Sequence, residues 1–227
     1  MPGPNPCDFA HPPSNYETEK PGVVLKYRIF ESHELGILEI NATAHENLYL
    51  SSGHTHSEPL AAIATVLVPN DPYKRKVVIH TPPEDADSKK CSSSETLKKG
   101  NLHIKEDQFS RQDILLVNTY LQQCWIDITT DYEGRHPAFD IMAFSGRDIL
   151  DSASASRNLR KLDLDDYVKF TMIGYCGGAS SSTWIVKLHQ YYAPDINLVG
   201  STFGDTLLNL VEHMVLNDKA HALFYER

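Results

Sequence analysis

The sequence predicts an α/β fold, a mixed sheet that opens with antiparallel strands and continues with parallel strand–helix–strand units. Three observations carry that expectation. Between residues 23 and 81, short runs rich in β-branched and aromatic residues follow one another, separated by turn residues. Beyond residue 110, segments with apolar residues at helical spacing alternate with compact apolar strands. One of these later strands, ending in "TMIG", runs into a glycine turn and then a helix of small residues. The first pattern is that of an antiparallel meander, the second that of parallel βαβ units. The third marks where chemistry would collect, since sites in such sheets lie beyond the carboxyl ends of the parallel strands.

In chain order, residues 1–22 are rich in Pro, Asn and Gly and read as an extended leader. "VVLKYRIF" (23–30), "ENLYLSS" (46–52) and "LAAIATVLVP" (60–69) are the meander strands, and "KVVIHT" (76–81) follows as a compact apolar strand. "PPEDADSKKCSSSETLKKGN" is polar and reads as a surface loop. "SRQDILLVNTYLQQ" (110–123) has helical spacing, with Ser110 as its cap and Asp113 in the first turn. "CWIDITTDYEG" (124–134) reads as strand and turn, "SGRDILDSASASRNLRKL" (145–162) as helix and "YVKFTMIG" (167–174) as strand. "GGASSSTWIVKLHQYYAP" (177–194) is a helix stopped by Pro194, and "INLVGSTFG" (196–204) is a last strand.

"GYCGG" at 174–178 has the shape of a nucleophile elbow, G-x-S-x-G, with Cys176 at the central position. Such an elbow turns a buried strand sharply into a helix so that the central side chain projects above the sheet. Only small residues fit where the helix start packs against neighbouring strands, and Gly177, Gly178, Ala179 and Ser180 supply them. A thiol at a helix N-terminus can become a good nucleophile, because the terminus favours the thiolate.

Composition narrows the partners. A formal charge of -9 opposes phosphate backbones and anionic membrane surfaces, so nucleic acid is not expected. No apolar run is long enough to span a bilayer, and the N-terminus lacks the apolar stretch of a signal peptide. Cys7, Cys91, Cys124 and Cys176 are widely spaced without a C-x-x-C pair, which argues against structural zinc and leaves the disulfide pairing open. "HTH" at His54 and His56 has no carboxylate or cysteine at ligand spacing and reads as a polar turn, so no metal or cofactor is expected. "NAT" at 41–43 is a sequon that matters only in a secreted chain.

Six blocks in one order, "ATVLVP" (64–69), "EDADSKKCSSSE" (84–95), "DYEGRHPAF" (131–139), "GRDILDS" (146–152), "GYCGGA" (174–179) and "YAPDINLVGSTFG" (192–204), resemble the fungal secretory lipases, the A-type lipases of yeasts. The resemblance implies an α/β-hydrolase fold and cleavage of triacylglycerols and other carboxylic esters, with a lipid or ester as substrate and an extracellular location, despite the missing signal peptide. It makes 23–205 a partial hydrolase domain and 206–227 the start of a lid-like helical segment, the rest of the lid and the last strands being absent. It puts Cys176 in the place of the nucleophilic serine and assigns the oxyanion donors to the backbones of Gly177 and Asp85. It also implies that Cys91 has its disulfide partner beyond Arg227. The family's acid and histidine come from the C-terminal part that this sequence lacks. Within the chain, His189, His213 and His221 are the histidines after Cys176, with Asp195, Asp205, Glu212 and Asp218 the acids. An acyl-transfer site needs a base for the nucleophile and a group to orient that base. The expectation is therefore an ester hydrolase impaired in this chain; the alternatives are a non-enzymatic remnant that binds acyl chains or a partner, and a Cys-nucleophile esterase. Oligomeric state is left open.

Overall fold

A computed structural model describes residues 9–35, 38–52, 60–83, 92–97, 111–132 and 142–206. Seven strands form one sheet: β1 (Val24–Leu35), β2 (Leu38–Ser51), β3 (Leu60–Pro69), β4 (Lys76–Thr81), β5 (Ile126–Thr130), β6 (Lys169–Tyr175) and β7 (Leu198–Gly204). Among the described residues, α1 (Ser93–Thr96), α2 (Arg111–Gln122), α3 (Met142–Asn158) and α4 (Gly177–Tyr192) accompany it. The sheet order is β1-β2-β3-β5-β4-β6-β7.

β1, β2 and β3 pair antiparallel, as the meander pattern predicts, and β3 pairs antiparallel with β5. β5, β4, β6 and β7 run parallel to one another. β4 does not sit beside the strand that precedes it, because β5 is laid between them. The mixed sheet is thus an antiparallel half and a parallel half welded at the β3–β5 seam.

Alternation along the strands assigns the two faces. On one, Val66, Val77, Ile79, Ile126, Ile128, Phe170 and Met172 meet Ile149, Leu150 and Ala153 of α3 and Ile185 of α4. On the other, Ala42, Ala44 and Leu67 meet Leu97, Val117 and Leu121, the last two from α2. Each large apolar side chain taken fully out of water contributes about 1.5–3 kcal/mol. The helices are therefore held by their apolar stripes, on opposite faces of the sheet. α4 ends at Tyr192, two residues before Pro194, where the residue preceding a proline is driven out of helical geometry.

Of residues 9–22, expected as an extended leader, Phe9 and Gly22 are held against the sheet while most residues between them are exposed. Phe9 is buried with Leu48 and Ala61, and the Arg28 guanidinium stacks 4.1 Å over its ring. Tyr16–Thr18 forms a 3-10 turn, and the Gly22 amide donates to the Leu50 carbonyl at 2.7 Å. Residues 206–227, apart from residue 206, lie outside the described residues, as do His54 and His56.

Candidate active site at the strand–helix elbow

β4, β5, β6 and β7 all end at one edge of the sheet, and Cys176 stands there between β6 and α4. It is the N-cap of α4, with φ 54° and ψ −123°, in the left-handed half of backbone space that favours glycine. Holding a side-chain-bearing residue there costs about 1–3 kcal/mol, so its surroundings must over-determine it. They do so through the backbone. The Cys176 amide donates to the Gly204 carbonyl at the end of β7 (3.1 Å), and its own carbonyl accepts from Ala179 (2.9 Å) and Ser180 (3.2 Å). The side chain is a partly buried thiol.

Glycine flanks this residue because nothing larger fits. A Cβ on Gly174 would lie 2.3 Å from Thr81 Oγ1 and 2.4 Å from Ser182 Oγ. One on Gly178 would lie 1.9 Å from the Thr81 carbonyl oxygen. The first turn of α4 therefore rests directly on the end of β4, with Gly178, Ala179, Ser180, Ser181 and Ser182 all buried. The opening amides of a helix have no carbonyl of their own helix to bond. Gly177 and Gly178 supply such donors right after Cys176, at the start of α4.

Of the sequence-predicted site residues, Cys176 and Gly177 are adjacent at this elbow, whereas Asp85 lies outside the described residues. Both flanks of the segment that carries Asp85 are nonetheless fixed near the same edge. Pro82, just after β4, accepts a hydrogen bond from the Tyr132 hydroxyl at 2.6 Å. Ser94, in α1, donates its amide (2.7 Å) and its hydroxyl (2.6 Å) to the Asp131 carboxylate. Asp131 and Tyr132 follow β5, so one strand end anchors the departure and the return of the segment. In the sequence Asp131 and Tyr132 show no sign of this role, because a lone Asp-Tyr after a strand carries no local signal of such an anchor.

Among the described residues the histidines are placed elsewhere. His45 Nδ1 bonds the Tyr27 hydroxyl at 2.7 Å, and burial pushes the His45 ring below its ordinary pKa. His80 is buried, with Nε2 3.0 Å from Asp113 Oδ1 on α2 and its ring edge-on to Tyr120. His189 occupies the last turn of α4, three turns from Cys176. His213 and His221 lie outside the described residues.

Buried carboxyls collect instead on β5, just after it, and on α3. Burial pushes Asp127 and Asp151 each up to about 6. Burial likewise holds Asp131 and Asp148 well above the usual carboxylate range. Asp148 Oδ1 accepts from the Tyr49 hydroxyl at 2.6 Å; Asp151 accepts from the Ser52 amide at 2.9 Å and from the Tyr192 hydroxyl at 2.9 Å. Asp151 thereby ties the end of β2 to the end of α4. No group of three or more His, Cys, Asp or Glu able to hold a metal occurs among the described residues.

A mixed sheet whose parallel strands end at a strained, glycine-packed strand–helix elbow is the architecture of an α/β-hydrolase. The secretory lipase family model matches residues 105–222. The chain is 33% identical over 204 residues to the secreted triacylglycerol lipase LIP7 of Malassezia globosa, an alignment covering 90% of this chain and 43% of that protein. It is 30% identical over 212 residues to the secreted triacylglycerol lipase LIP2 of Malassezia furfur, covering 93% of this chain and 45% of that one. The closed-state crystal structure of Candida antarctica lipase A superposes with a TM-score of 0.83 at 29% identity, covering 93% of this chain and 49% of that chain. The chain belongs to the secretory lipase family, and it spans about half the length of these relatives or less.

Proposed function

We propose that this chain carries the nucleophile-bearing half of a carboxylic ester hydrolase, with triacylglycerols or related lipid esters as substrates and Cys176 Sγ as the attacking atom. The observation that supports it best is the backbone of Cys176, strained to φ 54° at the edge where the parallel strands end. A thiolate there would attack the ester carbonyl carbon, and negative charge on the carbonyl oxygen would be met by the Gly177 amide, with the Asp85 amide as the second donor. Collapse expels the alcohol and leaves a thioester on Cys176; water then releases the acid and regenerates the thiol. The last step needs a base to take a proton from water, and His213 and His221 are the first candidates. The names of the Malassezia relatives support an extracellular site of action.

The test is acylation followed by turnover. Mixing the protein with p-nitrophenyl butyrate should release about one equivalent of p-nitrophenolate in a burst and add one butyryl group to Cys176, read by peptide mass; Cys176→Ala should do neither. Acylation elsewhere, or none, would overturn the assignment. The placement of His45, His80 and His189 favours a second reading, an acyl acceptor that turns over poorly. A burst with no steady-state release would select it.

A further inference from the structure

We propose that Thr81, at the end of β4, is the positioning residue of the elbow: its hydroxyl sets the geometry of Cys176 and of the amides after it. Thr81 is fully buried, and its Oγ1 lies 3.0 Å from the Ile173 carbonyl, 3.2 Å from the Gly178 carbonyl and 2.9 Å from Ser182 Oγ. Ile173 lies three residues before Cys176 and Gly178 two residues after it. One side chain from a neighbouring strand therefore grips the chain on both sides of the nucleophile.

The proton count fixes how it does so. A threonine hydroxyl has one proton and two lone pairs. With Ser182 donating its own proton to Thr81 Oγ1, the Thr81 proton is free to be shared between the two carbonyls, and all three contacts are satisfied. The Gly178 carbonyl belongs to the first turn of α4, so holding it fixes the tilt of that turn and the direction of the Gly177 and Gly178 amides. The Ile173 carbonyl fixes the approach of β6. Between these clamps only Gly174, Tyr175, Cys176 and Gly177 remain to make the reversal. The missing side chains have the same origin: a Cβ on Gly174 would collide with the Thr81 hydroxyl itself, and one on Gly178 with the Thr81 carbonyl.

The use of this geometry in ester cleavage rests on the proposed role of Cys176, but the geometry can be read without any ester. The reduced, folded protein is treated with iodoacetamide, and the alkylation rate of each cysteine is followed by peptide mass. Thr81→Val keeps the shape and removes the hydroxyl; Thr81→Ser keeps the hydroxyl. Alkylation of Cys176 should slow about fivefold or more in Thr81→Val, the scale of losing one ordinary hydrogen bond. Thr81→Ser should restore it to within about twofold. Cys124, which precedes β5 in a turn away from this edge, should react at the same rate in all three proteins and so reports any general loosening. An unchanged Cys176 rate in Thr81→Val, a Thr81→Ser as slow as Thr81→Val, or parallel changes at Cys124 would each overturn the proposal. Ester turnover measured alongside tests Cys176 as catalyst separately: its absence in every protein would count against that reading and leave the clamp standing.

Discussion

The elbow and the body of the sheet solve the problem of burial in opposite ways. At the elbow, where β4 and β6 meet α4, Gly174, Gly178 and Thr81 bring backbone against backbone with no space left over, and the polar contacts are between neutral groups. Across β2, β5 and α3, ionisable side chains are buried whole: Glu46, paired with Arg28, is fully covered, as are Asp127 on β5 and Asp148 under Tyr49. The elbow should be intolerant of added volume. The body of the sheet should tolerate small volume changes and respond to protons.

The sharpest way to break this contrast is Gly178→Ala. Its new methyl has no place to go but into the Thr81 carbonyl, so the first turn of α4 must lift off β4. Overpacking of this kind costs typically 1–3 kcal/mol and occasionally more, and a backbone neighbour that cannot yield puts this site at about 3 kcal/mol or above. Thermal unfolding should show the largest loss of any single substitution here. A Gly178→Ala protein with the parent melting temperature would remove the argument for the tight elbow.

Next in size is the pH response of the body of the sheet. Asp127 and Asp151 hold their protons up to about pH 6 in the folded chain, whereas an unfolded carboxyl releases its proton near 4. Between these values the folded state binds more protons, so the contribution of these carboxyls to stability is fully present below about pH 4, declines as pH rises and is lost above about pH 6. A shift of about two units in Asp127 is on the order of 2–3 kcal/mol. Melting temperature should therefore fall between pH 4.5 and pH 7.5, and Asp127→Asn should flatten that slope. A flat profile in the parent would sink the contrast from the other side.

Relief of strain at the elbow is smaller. Cys176→Gly removes the penalty of a side chain at φ 54° and should raise stability by about 1 kcal/mol while abolishing acylation. A Gly variant that melts lower would mean that contacts of the thiol outweigh the strain. Smallest of all is the surface pair of Arg157 with Asp195, 3.4 Å apart and half exposed. Arg157→Ala should move the melting temperature by no more than about 1 °C, because exposed ion pairs are screened by solvent and salt.

These contrasts were unequally legible in the sequence. β3 and β4 stand where their β-branched runs put them, residue for residue, and the strand–turn–helix of Cys176 was readable because the glycines and the small-residue helix are local. β2 begins at Leu38, eight residues before the expected strand, because Ala42, Ala44 and His45 are poor strand formers held in place by pairing with β1 and β3 on either side. Phe9 falls in the stretch that reads as an extended leader, because a single aromatic among prolines does not announce the patch of Leu48 and Ala61 that it covers. The short helix Ser93–Thr96 was read as loop for a similar reason: Asp131, thirty-seven residues away, supplies the acceptor that holds Ser94. In the sequence Thr81 is only the last residue of the strand run "KVVIHT". Its importance comes from what β6 and α4 place around it, which no window on β4 contains.

The position of β4 also has a consequence in time. Strands β1, β2 and β3 find partners next to them in the chain and can pair as soon as they leave the ribosome. β4 cannot, because both of its neighbours, β5 and β6, are made later, β6 ending at Tyr175. At roughly 5–20 residues per second, its second edge waits on the order of ten seconds for a partner. During that interval "VVIHT" is an apolar strand with open edges, a form that invites pairing with another chain. The strand that carries Thr81 is thus the segment of a nascent molecule most in need of a chaperone, and slowing synthesis between residues 81 and 175 should raise the aggregated fraction before it alters anything in the finished fold.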